Sequence, residues 1–211
     1  MLVPVIKFEP LVMMGLDFLG LITPSCKQTG AKYMLIAVDY FTQYTWIQPF
    51  RSADGKAVIA FFDNFIVPNF GFPYSLYMDN GTHFVGEPAA RYLASKGIQH
   101  YHAPVSHPSF VGLVKRAVQL VVSWLRAYCI DYGQPGVDLW GSVAGTIMQA
   151  INTRLVKIHG FIPAKLMFEY KPTIYRTLGQ EEEAEVENPE EYTPHLCQLH
   201  IERRNGLWEQ A

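Results

Sequence analysis

The sequence predicts an α/β domain in which strands come first and helices last. Two patterns predict it. The first half alternates short apolar runs with turn residues, and the second half repeats apolar residues at spacings of three and four. A third observation is composition: 211 residues at 49% hydrophobic and 14% aromatic can close one sizeable core with appendages.

Leu11 to Ile22 reads as a buried strand, and the loop Thr23 to Lys32, with Pro24 and Gly30, turns it into a second apolar run, Tyr33 to Asp39. The pair reads as a hairpin. Thr45 to Pro49 is a third strand. Ser52 can then cap a helix reaching about Asn69, with Val58, Phe61, Phe62 and Phe65 on one face and Pro68 disturbing its last turn. Ser75 to Met78 is a short strand ended by Asp79-Asn80-Gly81. Glu87 to Lys96 is a helix closed by Gly97, and Ile98 to His102 is the next strand. After a Pro104 to Gly112 loop, Val114, Val118, Val121, Val122 and Leu125 define a helix with a buried face. Asp138 to Ile158 reads as a second long helix, and Pro163 opens a short third. Gly179 to Pro194 is an acidic linker, and His195 to Gln210 a closing helix.

Charge and cysteine usage exclude several classes. No apolar run reaches the roughly 18 to 20 residues of a membrane span, and the N-terminus lacks a secretory pattern. Cys26, Cys129 and Cys197 form no CxxC pair, which fits a reducing, intracellular setting. The net charge of -2 argues against a uniformly basic nucleic-acid binder. It conceals a division, however. Arg154, Lys157, Lys165, Lys171 and Arg176 face Glu169 alone, whereas Glu181 to Glu191 holds seven glutamates and no base.

Two aspartates stand at strand positions, Asp17 within Gly15-Leu16-Asp17-Phe18 and Asp79 where a short strand meets Asn80-Gly81. Converging carboxylates suit hard cations, and two such ions about 3.5 to 4 Å apart can drive phosphoryl transfer. Alone, Asp-Asn-Gly is a simple turn signal. The remaining candidates carry less. His195, Cys197 and His200 lack a fourth ligand for zinc, and His100 with His102 share a strand face without an assigned role. Trp124, Trp140 and Met148 read as core or dimer contacts.

The successive segments Tyr33 to Asp39, Phe70-Gly71-Phe72-Pro73 and Met78-Asp79-Asn80-Gly81-Thr82-His83-Phe84 resemble, in order, the core of retroviral and gypsy-type long-terminal-repeat retrotransposon integrases. His107-Pro108 through Gly112-Leu113-Val114 is similar to the stretch leading into the helix that bears that family's catalytic glutamate. Thirty-five residues separate Asp79 from Lys115, the family's interval between its second aspartate and its glutamate. The resemblance covers about residues 4 to 176 and touches His195 to Gln210. It implies an RNase H-like fold: a mixed five-stranded sheet flanked by helices, with additional C-terminal helices. With the acidic linker read from composition, the expected domains are a core over 1–176, a linker over 177–194 and a helix over 195–211.

The resemblance implies Asp17 and Asp79 as catalytic and metal-binding residues for Mg2+ or Mn2+, with Lys115 in the third place. A protonated ammonium has donors and no lone pair, so it does not ligate magnesium. At about 4 Å it attracts each aspartate by roughly 1 to 4 kcal/mol across dielectrics of about 80 to 20. Lys115 thus either takes the metal's place or points into solvent; metal binding is weak or lost in both cases. Ser109, Phe110, Val111 and Val118 also depart from the polar residues usual there, and no His-His-Cys-Cys zinc module precedes Pro4. The chain reads as a core fragment or a reduced descendant. Three functions stay open: an inactive nucleic-acid-binding or dimerising module, an active DNA strand transferase, and a decayed retroelement fragment. Activity needs a substitute acid, for which Glu87 and Glu169 are the nearest candidates. The expected partners are DNA, bound weakly and salt-sensitively through Arg116, Arg154 and Lys157, and a second copy in a homodimer. No membrane contact is expected, and the family role implies the nucleus.

Overall fold

The computed structural model describes residues 9–78, 87–102, 108–131, 139–157 and 159–168. Two compact units divide the chain, Met1–Asn152 and Thr153–Ala211. The first holds a five-stranded sheet in the order β3-β2-β1-β4-β5, formed by β1 (Met13–Gly20), β2 (Tyr33–Asp39), β3 (Thr45–Phe50), β4 (Ser75–Met78) and β5 (Gln99–His102). The expected hairpin forms: β1 and β2 pair antiparallel with Asp17 opposite Ile36, and β3 continues the meander. On its other side β1 pairs parallel with β4, and β4 with β5, so the sheet is mixed as expected.

Burial on both faces explains the near-continuous apolar text of β2, since successive side chains point to opposite sides and both sides are covered. One face carries Met34, Ile36, Val38 and Ile47. They pack with Ala117, Val121 and Leu125 of α4 (Pro108–Asp131), with Trp140, and with Ala144, Ile147 and Ile151 of α5 (Ala144–Thr153). The alternate residues Met14, Leu16, Leu35, Ala37, Leu76 and Met78 are equally buried. A second helical pair, α1 (Gly55–Phe61) and α3 (Glu87–Ser95), packs closely enough that a Cβ on Gly55 would lie 3.2 Å from that of Ala89.

The α1 region corrects two expectations. Asp54 is the N-cap in place of Ser52: its extended backbone lets Oδ1 accept the Ala57 N–H at 2.9 Å, and that bond holds the carboxyl below the usual range. Pro68 disturbs the last turn, as expected. It sits at the start of α2 (Val67–Phe70), after a π-helical segment, Phe62–Ile66, in which Val67 N–H bonds back five residues to Phe62. Proline has no N–H to continue the ordinary ladder, and the wider turn absorbs that. The extra residue rotates the face by one position, so Ile66 is buried and Phe65 is left exposed.

Two further boundaries shift. The helix after β5 begins at Pro108, inside the expected loop, because proline suits the first turn. The expected helix from Asp138 to Ile158 shortens to α5. Trp140 Nε1 donates to Pro24 O at 2.9 Å, and a Cβ on Gly141 would meet Cys26 Sγ at 2.8 Å, so this stretch is shaped by the loop it covers. Asn152 closes the sheet's outer edge: its amide accepts from Thr45 N at 2.8 Å and donates to Thr45 O at 2.7 Å. Buried Asp39 ties the end of β2, accepting from Thr42 N and Oγ1 at 2.7 Å each and from Leu11 N at 2.9 Å, while burial raises its carboxyl's pKa.

The second unit contributes α6 (Pro163–Phe168), opened by proline as expected, and a Val156 to Phe161 bridge. The expected linker and closing helix, Glu169, and with them His195, Cys197 and His200, lie outside the described residues. No described helix is long and apolar enough to cross a membrane.

Candidate active site

Strand alternation places Gly15 and Asp17 on the same face of β1, the face that α4 covers. Helix and strand meet closely there. A Cβ on Gly15 would lie 2.2 Å from Val114 Cγ2 and 2.9 Å from Tyr40 Cε2, so only glycine admits this approach. Asp17 is half-buried, and its Oδ1 accepts from Phe18 N at 2.8 Å.

Lys115 follows Val114 on α4 and is exposed, as is Arg116, whose Nε donates to Gly112 O at 3.2 Å. Val118 sits half-buried at the rim of the core. Asp79 lies outside the described residues, as does the side chain of Glu87. The structure thus brings the helix segment carrying Lys115 onto the Asp17 face of β1. It does not bring Arg154 and Lys157 into that unit: both are exposed residues of the second.

Hard-cation chemistry asks for several oxygen donors. Among the described residues no three His, Cys, Asp or Glu side chains gather into a group able to hold a metal. Of the three positions matched to the resemblance, Asp17 is the only acid within the described residues, and Lys115 offers no lone pair. Among the described residues the donor set falls short of a three-acid cage.

Sequence reasoning missed a row of tyrosines on this face. Gly15 pairs with Tyr77, and Tyr77 with Tyr101. Tyr40 lies 6.2 Å from Tyr77, and Tyr77 stacks on Tyr101 at 5.2 Å, ring centroid to centroid. Burial raises the phenol pKa of Tyr40 and of Tyr77, the latter also through Tyr101 beside it. The parallel register of β1, β4 and β5, with the antiparallel β1–β2 pairing for Tyr40, unites residues so far apart in sequence. Trp140, by contrast, is buried as its apolar neighbours predicted.

Residues 10–108 match the integrase core domain family. The chain carries an integrase core domain. It is 26% identical to the Pro-Pol polyprotein of feline foamy virus over 160 residues, which are 76% of this chain and 13% of that protein. It is also 33% identical to a retrovirus-related Pol polyprotein from transposon RE2 of Arabidopsis thaliana over 146 residues, 67% of this chain and 10% of that protein. The chain therefore spans only about an eighth or less of the polyproteins it matches. The fold of the integrase core domain is shared with the catalytic core of HTLV-2 integrase solved with magnesium, at TM-score 0.57 and 17% identity over 75% of this chain and 97% of that one. A simian T-cell lymphotropic virus intasome in complex with a PP2A regulatory subunit gives 0.64 and 19%, over 81% and 59%. The mixed sheet with flanking helices is the RNase H-like architecture that the motifs implied.

Proposed function

We propose that this integrase core domain binds DNA and has lost strand transfer, with Lys115 standing at the third corner of the site. The observation that carries the reading is the contact of Val114 with Gly15, which sets the start of α4 over the face of β1 that bears Asp17. Support for Asp79 as the second corner comes from register: Met78, the residue before it in sequence, pairs with Leu16, the residue before Asp17.

Asp17 and Asp79 would be the oxygen ligands for Mg2+ or Mn2+, and a bound ion would supply Lewis-acid activation of a nucleophile. The ammonium of Lys115 replaces a ligand with a like charge to the cation, so affinity drops and no complete cage forms. Binding to DNA then rests on phosphate contacts from Arg116, Arg154 and Lys157, in the nucleus if the family's role is retained. Self-association as a homodimer is part of the same reading.

Purified protein given DNA ends with magnesium or manganese is expected to leave them unprocessed and unjoined. Metal-dependent joining by the unaltered chain overturns the proposal and favours an active transferase. Absence of any DNA binding overturns it in the other direction, toward a fragment without function.

A further inference from the structure

We propose that Tyr77 and Tyr101 form a stacking platform for an unpaired nucleobase beside the reacting end of DNA; this rests on the DNA-binding reading above. Gly15, Tyr77 and Tyr101 form one row across three parallel strands, one residue per strand. The two rings are inclined by 26° with centroids 5.2 Å apart, an offset stack that follows the strand spacing of about 4.8 Å. Among the described residues β5 is the sheet's edge strand, and none of them adds a strand at the next position in the row. Tyr101 is 43% exposed there and Tyr74 59% exposed beside it.

The row is also held in orientation. Gln99 donates from Nε2 to the Tyr74 hydroxyl at 3.2 Å and accepts the Tyr101 hydroxyl proton on Oε1. A fixed, uncharged aromatic face favours a flat π-surface, and every nucleobase has one. Preorganisation of the rings reduces the entropy lost on binding. The inner end of the row adjoins the proposed catalytic carboxylate, because Asp17 shares Gly15's face two residues further along β1. Strand spacing and rise put a base beyond Tyr101 on the order of 12 Å or more from Asp17. Such a base belongs to a nucleotide near the reacting phosphate, not to the one attacked. A paired base is already stacked within its duplex, so the platform selects unpaired nucleotides.

The full chain is tested without metal, by fluorescence anisotropy, against a blunt duplex and the same duplex carrying a short thymidine overhang. The expected result is on the order of tenfold tighter binding of the overhang, abolished by Tyr101→Ala and kept by Tyr101→Phe, which preserves the ring. Equal affinity of the parent for both DNAs, or full retention of the preference in Tyr101→Ala, overturns the platform and leaves the DNA-binding reading standing. Failure to bind either DNA overturns both. A drop in sedimenting mass on Tyr101→Ala, without change in the overhang preference, assigns the face to a second copy of the chain and overturns the proposal as well.

Discussion

At the scale of single residues, the proposed place of Lys115 at the third corner and the burial of His159 each give a test. Lys115→Glu restores a carboxylate at the third corner. Magnesium or manganese at a hundredfold excess over Kd then adds about 2.7 kcal/mol to stability, roughly 5 to 10 °C in Tm, whereas the parent shows little shift. Without metal the variant melts below the parent, because three acids crowd one site. Thermal melts with and without metal check both signs; a variant that behaves as the parent in each condition removes Lys115 from the site. His159 accepts the Phe161 N–H on Nδ1 at 3.1 Å, and its buried Nε2 has no hydrogen-bond partner among the described residues. Burial lowers its pKa below the ordinary 6.5. The unfolded chain therefore binds a proton before the folded one does. Stability from this group is fully present above the unfolded value and is lost as pH falls from about 6.5 toward the folded value. Melting curves for the parent and His159→Gln should diverge on the acid side of that window, with the parent falling faster; parallel pH profiles contradict it.

At the scale of elements, the placement of α4 on β1 turns one glycine into a packing requirement. Gly15→Ala sets a methyl 2.2 Å from Val114 Cγ2, a contact that the helix relieves only by moving. Overpacking of this kind destabilises by about 1 to 3 kcal/mol. Val114→Ala removes the clashing methyl, so the double variant should recover part of the loss beyond additivity in a denaturant-based cycle. Strictly additive effects would mean that α4 does not rest on β1 at this point, and the argument for the third corner would go with it. The π-helical segment belongs to the same scale: one extra residue ahead of Pro68 exchanges Phe65 for Ile66 in the core.

At the scale of the whole molecule, net charge and charge placement oppose each other. A chain of net charge -2 with exposed Arg116, Arg154 and Lys157 should bind duplex DNA modestly and lose affinity steeply with salt. Each of these residues that contacts a phosphate lowers the slope of log K against log salt by about 1 when changed to alanine. Titrations at several salt concentrations read this directly. A slope untouched by all three substitutions would remove them from the interface.

The strands were legible in the sequence because burial on both faces leaves nearly unbroken apolar runs, and β2 and β4 have the bounds those runs predict. The family was legible too, from ordered motifs and the Asp79 to Lys115 interval, and the integrase core domain match over residues 10–108 agrees with it. Helix ends were less so. Asp54 displaces Ser52 as cap, Pro108 starts α4 early, and Gly141 lies against Cys26, because each boundary depends on a partner distant in sequence or on local backbone geometry that periodicity does not carry. The tyrosine row was wholly a tertiary result. Tyr77 and Tyr101 come side by side only when β1, β4 and β5 align in parallel register, Tyr40 joins them through the antiparallel pairing of β2 with β1, and no local pattern encodes which residues a crossover connection will bring together. The sequence by itself determined which side chains are available for chemistry; tertiary packing decided that the start of α4 lies over the face of β1 that bears Asp17, because Gly15 leaves room for Val114 there.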